Sequence, residues 1–246
     1  MDASGAIVHP GSGKSPQKLG PLAVLAATGP DLSLLRRSLA FEADEGRRLY
    51  ISRLFTASKR HSGLSLAGPM VGAPYAVMVA ETLIAWGARC LIFLGWCGAI
   101  AETVAIGDIV LPTSAFIDEG TSRHYRPEPR TSFASSPLAR KISDCCASEK
   151  TGAHAGAVWT TDAPYRETPD QLLGYRRRGA LAVEMEVSAL YSVAAFRRVE
   201  AAAVLVVSDD LSRLTWTPGF KDPRFARGRE AAGAIIGRLC SMPADA

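Results

Sequence analysis

The sequence predicts an α/β protein in which helices cover both faces of a mainly parallel or mixed sheet. Three observations carry that expectation. Short apolar runs alternate along the chain with longer stretches of helical pattern. Most of the runs are apolar continuously, as in strands covered on both faces, and not alternately as in strands with one wet face. The helical stretches open on first-turn residues: Pro74 and Pro169 among prolines, Asp31 and Asp222 among acids.

Taken in order, strands are expected at residues 22–27, 64–68, 90–94, 106–111, 155–159 and 202–207. Helices are expected at 31–40, 74–86, 136–150, 169–178, 186–197 and 222–240. The stretch 118–137, rich in Arg, Ser and Pro, is the one long irregular segment. No repeat or internal boundary is visible, so the expected organisation is a flexible leader at 1–20 followed by a single domain at 21–246, long enough to bury a sizeable core. Gly13-Lys14-Ser15 in that leader imitates the end of a phosphate-binding loop. The full pattern needs a glycine where Val8 stands, and Gly, Ser and Pro dominate the surroundings.

The net charge of +4 is spread along the chain without a basic stripe, which argues against nucleic acid as a partner. No run of 18 apolar residues is present, so no membrane partner is expected. The N-terminus lacks the apolar core of a signal peptide. Five cysteines, including the adjacent Cys145 and Cys146, form neither a disulfide framework nor a metal-ligand spacing. A cytoplasmic protein without metal or organic cofactor is expected.

Sheets of this kind place ligands beyond the carboxyl ends of their strands. One such place is "LGWCGAI", where Gly95 and Gly98 read as a tight turn closing the apolar run 90–94. Three constellations stand near others. In "AVEMEVSALY", Glu184 and Glu186 flank Met185 at a helix mouth. They either favour the helix N-terminus or bring a carboxylate inward, where a sugar diol would satisfy it. In "AAAVLVVSDDL", Asp209 and Asp210 end a buried run; one caps the next helix and the other is free to act as a general acid. In "FIDEGTSRHY", an acid, two hydroxyls, Arg123 and His124 share one loop, which reads equally as a solvated turn.

Together with "GPMVGAPYAV" and "GWCGAI…VAIGDIVLP", these pieces resemble the nucleoside phosphorylase superfamily over residues 22–240. The resemblance implies a three-layer α/β/α sandwich with a mixed, partly barrel-like central sheet, assembled as a dimer, trimer or hexamer. It implies cleavage of the N-glycosidic bond of a ribonucleoside, a purine being favoured by Asp209. By that resemblance Glu186 grips the ribose hydroxyls and Met185 packs under the sugar. Asp209 protonates the leaving base, which Tyr165, Arg166, Cys97 and Gly98 line.

The acceptor site maps onto Gly29, Phe93, Trp96, Arg47, Arg123 and His124. Inorganic phosphate is the family's default co-substrate. Here, however, Ser33, Phe93 and Trp96 stand where the phosphorylases carry an arginine, a second arginine and a hydroxyl, so the bidentate anion contacts are missing. Two alternatives arise. One is a phosphate-independent nucleosidase in which Asp31 activates water, unless Asp31 is only a helix N-cap. The other is a non-catalytic nucleoside-binding protein. His9 is a candidate for the histidine that relatives lend to a neighbouring subunit.

Overall fold

The computed structural model describes residues 5–10, 18–41, 45–56, 63–126 and 130–242; Gly13-Lys14-Ser15 lies outside them. The first half of the chain holds strands β1 (Leu22–Ala26), β2 (Arg47–Leu49), β3 (Ser52–Phe55), β4 (Leu64–Gly68), β5 (Cys90–Ala99) and β6 (Ile109–Asp118). It also holds helices α1 (Gly29–Ser38) and α2 (Ala73–Ala85). The second half adds β7 (Thr131–Phe133), β8 (Ala153–Thr161), β9 (Ala180–Glu184), β10 (Glu200–Asp210) and β11 (Thr217–Pro218). Helices α3 (Ser136–Ser148), α4 (Pro169–Arg177), α5 (Val187–Arg197) and α6 (Pro223–Cys240) run between and after them.

The 11 strands form one mixed sheet in the order β11-β10-β6-β8-β9-β5-β1-β4-β3-β2, with β7 beside β6. Because β10 also pairs with β5, the strands β10, β6, β8, β9 and β5 close into a ring, the barrel-like part of the fold. The remaining strands extend from the ring as an open wing, led by β1 in parallel register with both β5 and β4. One apolar layer gathers α2 and α5 against the sheet, with Leu83, Phe93, Leu190 and Leu205 among its members. The opposite layer gathers α1, α3 and α6, with Leu35, Leu94, Ile142 and Ile235. The expected three-layer α/β/α sandwich is therefore present.

The strand at 90–94 does not stop at a turn. It runs on as β5 through Gly95, Trp96, Cys97 and Gly98 to Ala99, paired along that length with β10. The two glycines serve close packing: a side chain at Gly95 would meet the Phe93 ring at 2.6 Å, and one at Gly98 would run into Leu211. The strand expected at 106–111 begins later, at Ile109, because Gly107 turns the chain with φ +90° and Asp108 accepts the Ala105 N–H. Helix α1 begins at Gly29 and is capped by Thr28, whose hydroxyl accepts the Asp31 N–H, so Asp31 is not the N-cap. No helix comes directly after Ser208-Asp209-Asp210. All three end β10, and the cap of α6 is Asp222. No helix among the described residues is long and apolar enough to cross a membrane.

Candidate active site

Strands β4, β1, β5 and β10 are consecutive parallel neighbours, so their carboxyl ends gather at one rim. The segments that leave the strands at this rim are the groups the sheet offers a ligand. After β4 the chain crosses beneath the end of β1, the Met70 N–H bonding to the Ala26 and Ala27 carbonyls, and reaches Gly72, which begins α2 at φ +85°. After β1 come Thr28 and Asp31. Within β5 lie Trp96, Cys97 and Gly98, and at the end of β10 lies Asp209.

Strand β9 crosses onto β5 at Gly98 and Ala99 and delivers Glu184, Met185 and Glu186 to this rim. Both carboxylates are buried, each residue 4% exposed. Glu184 accepts the N–H groups of Glu186 (2.6 Å) and Val187 (2.7 Å) through Oε2 and the Thr160 hydroxyl through Oε1. It thereby takes up two N–H groups that the first turn of α5 leaves unpaired. Glu186 turns the other way, and its Oε1 accepts the Gly72 N–H at 2.6 Å. Burial pushes both carboxyls up, and the charge of Glu186 pushes Glu184 up further. Met185 between them is half-buried.

Asp209 pairs in register with Gly98 across β5 and β10, just past a bulge at Ser208. Its Oδ1 accepts the Ser208 hydroxyl (2.6 Å) and its Oδ2 the Trp216 indole N–H (2.9 Å). Asp210 instead closes a turn by accepting the Ser212 N–H at 2.7 Å. Glu167 lies within electrostatic reach of Asp209; burial first, and the charge of Asp209 second, raise its carboxyl to about 7. Cys97 is buried beside Asp209 and Glu184, and its thiol is pushed well up, mainly by burial.

Asp31 is fully buried on the third residue of α1. Its Oδ2 accepts the Thr28 hydroxyl (2.8 Å), and its Oδ1 accepts Nε of Arg229, from α6, at 2.6 Å. The Arg229 guanidinium lies 5.7 Å from the Trp96 ring and 5.8 Å from Phe225, and those two rings meet edge to face at 5.0 Å. The Trp96 Nε1–H is buried without an acceptor among the described residues.

The structure thus brings Asp31, Trp96, Cys97, Gly98, Met185, Glu186 and Asp209 to one rim. It does not bring Phe93 there. Phe93 is 2% exposed and points into the apolar layer under α2 and α5, on the face of β5 opposite Trp96. Gly29 is exposed at the start of α1. Arg47 is exposed on the short strand β2. Arg123 and His124 are exposed in a 3-10 turn, although their loop is well anchored: Glu119 accepts the Thr121 and Ser122 N–H groups and the Ser188 hydroxyl. Tyr165 is 99% exposed, and Arg166 beside it is exposed too.

A cleft of about 1210 Å³ opens between α2 and α5, lined by Val77, Met78, Phe196, His124 and His9 among others. Sequence reasoning missed Gly72, Glu167, Trp216 and Arg229. Gly72, inside "GPMVGAPYAV", and Glu167, next to Arg166, had local cues. Among the described residues no cluster of His, Cys, Asp and Glu could hold a metal ion.

The model of the Phosphorylase superfamily matches residues 21–240. The DeoD-type purine nucleoside phosphorylase of Bacillus thuringiensis (strain Al Hakam) is 33% identical over 162 residues, 64% of this chain and 68% of that protein. In three dimensions the chain superposes on uridine phosphorylase from Vibrio fischeri ES114 with a TM-score of 0.80 at 21% identity, covering 96% of this chain and 99% of that one. That likeness shows the fold. AMP nucleosidase from Bacteroides thetaiotaomicron VPI-5482 superposes with a TM-score of 0.70 at 25% identity, covering 90% of this chain and 88% of that one. The relatives are thus nucleoside phosphorylases and a nucleosidase.

Proposed function

Since the chain belongs to the phosphorylase superfamily, we propose that it cleaves the N-glycosidic bond of a purine ribonucleoside and passes the sugar to water. The observation that carries this reading is Asp31, a fully buried carboxylate held by Thr28 and Arg229 beside Trp96. An indole and a carboxylate suit a neutral acceptor, whereas phosphate would call for unpaired guanidinium forks. The identity to purine nucleoside phosphorylases supports the choice of base.

Glu186, fixed by the Gly72 N–H, accepts hydrogen bonds from the ribose hydroxyls, and its negative charge favours the cationic sugar that develops as the bond breaks. Met185 covers the sugar. Asp209 gives its proton to the purine ring as the electrons of the C–N bond move onto the base, a contribution of about 10²–10⁴-fold. Asp31 takes a proton from water as the water oxygen bonds to C1′, and solvent then resets both acids. The products are free purine and ribose. Self-association belongs to the same reading, with Arg47 on its exposed edge strand offered to a neighbouring copy.

A panel of nucleosides incubated with and without inorganic phosphate, with bases and sugars separated, tests the proposal. Free purine and ribose at a rate indifferent to phosphate are expected. Ribose 1-phosphate as the sugar product sinks the choice of water. Tight binding without turnover sinks catalysis and leaves a nucleoside-binding protein.

A further inference from the structure

We propose that Arg229 is the positioning residue of the acceptor site: it fixes the direction of the Asp31 carboxylate for the acceptor water and keeps phosphate out. The inference rests on the hydrolytic reading of the same site. Arg229 lies 198 residues from Asp31 and reaches it from α6, near the other end of the chain. Their contact runs through Nε at 2.6 Å, between a carboxylate side chain that is 0% exposed and an arginine side chain that is 21% exposed. With Thr28 on the other oxygen, the carboxylate is fixed in plane and direction. A guanidinium carries five N–H donors. Among the described residues Asp31 is the hydrogen-bond partner of Arg229, so the terminal amino groups remain to orient an oxygen next to Asp31.

The aromatic wall sharpens this. Trp96 and Phe225 flank the guanidinium and limit its swing, and Trp96 adds a buried N–H with no acceptor among the described residues, a donor suited to an oxygen atom. The ion pair is neutral as a whole. A phosphate placed against it would meet the carboxylate as well as the arginine, and like charges repel most strongly where water is excluded. Water meets a donor and an acceptor and no net charge. One arginine paired to a buried acid thus does the opposite of the unpaired arginines in an anion site.

The test compares wild type with Arg229→Met, Arg229→Lys and Asp31→Asn, using a purine nucleoside that the wild type cleaves, with and without inorganic phosphate. Thermal melts confirm that each variant folds. Arg229→Met is expected to lower kcat by about 100-fold, the usual effect of a misplaced catalytic group, with the nucleoside KM within about twofold. Arg229→Lys restores part of that loss, and Asp31→Asn matches Arg229→Met or falls lower. Wild-type kcat in Arg229→Met overturns the proposal. So does a KM that rises in step with the fall in kcat, or an Arg229→Lys variant no better than Arg229→Met. If Arg229→Met does not fold, Arg229→Lys and Asp31→Asn decide: Asp31→Asn at wild-type rate overturns it. Ribose 1-phosphate from the wild type overturns this inference and leaves glycosidic cleavage standing; no base from any purine nucleoside overturns the cleavage reading itself.

Discussion

Glu186→Gln is expected to make the protein more stable and nearly inactive, and the stability gain should depend on pH. Glutamine keeps Oε1 as an acceptor for the Gly72 N–H and removes the charge from a residue only 4% exposed. Burial raises the Glu186 carboxyl above its ordinary 4.5. A carboxyl raised in the folded state opposes folding when ionised. The wild type therefore loses stability as pH rises from 4.5 through the folded value, while the variant does not. Each tenfold of proton affinity is worth about 1.4 kcal/mol, so a hundredfold rise is about 3 kcal/mol. Exchanging a charge-assisted hydrogen bond for a neutral one returns about 1 kcal/mol. The net, about 2 kcal/mol, lifts Tm by roughly 4–8 °C in a chain of this size. Melts of both proteins between about pH 5 and pH 8 measure it, and the difference should widen with pH. A variant less stable at the alkaline end, or a difference constant across the range, would refute the reasoning that Glu186 is held ready for a ligand at a cost to the fold.

Three further outcomes are expected. Asp209→Asn should lower base release by about 10²–10⁴-fold, read as kcat, while the fold tolerates the change. Tyr191→Phe removes a buried hydroxyl that donates to the Pro112 carbonyl at 2.8 Å, and chemical denaturation should report a loss of about 1–2 kcal/mol. Arg197→Met takes the cation from buried Glu81, which it holds through two bonds at 2.7 and 3.0 Å, and should destabilise by about 3–5 kcal/mol. Adding Glu81→Met should recover much of that loss, because the unpaired buried charge is then gone.

The long apolar strands were legible because burial on both faces leaves a continuous hydrophobic run, as at Leu22–Ala26, Leu64–Gly68 and Glu200–Asp210. Helices α2 and α4 were legible from prolines that stand in their first turns. Strands β2, β3 and β11 were not, being two to four residues long and partly polar. Gly95 and Gly98 misled because a glycine needed for close approach looks, in sequence, like a glycine needed for a turn. The site divided the same way. Glu186 and Asp209 belong to patterned segments that announce themselves, while Arg229 is one arginine among several on α6 and Trp216 lies in an irregular loop. Their meaning comes from long-range contacts with Asp31 and Asp209, which no local pattern encodes.

The closed ring of strands also bears on how the chain is made. Strands β5 and β6 are complete long before β10, which must enter between them, parallel to one and antiparallel to the other. Until residues 200–210 leave the ribosome, the nascent protein carries two unsatisfied strand edges facing an apolar slot, and such edges are templates for pairing with other chains. The last pairs of that insertion set Asp209 against Gly98 and Asp210 against Ala99. The same insertion that shields the growing chain from aggregation therefore places the proposed proton donor, so an unfinished molecule has neither a closed barrel nor its acid.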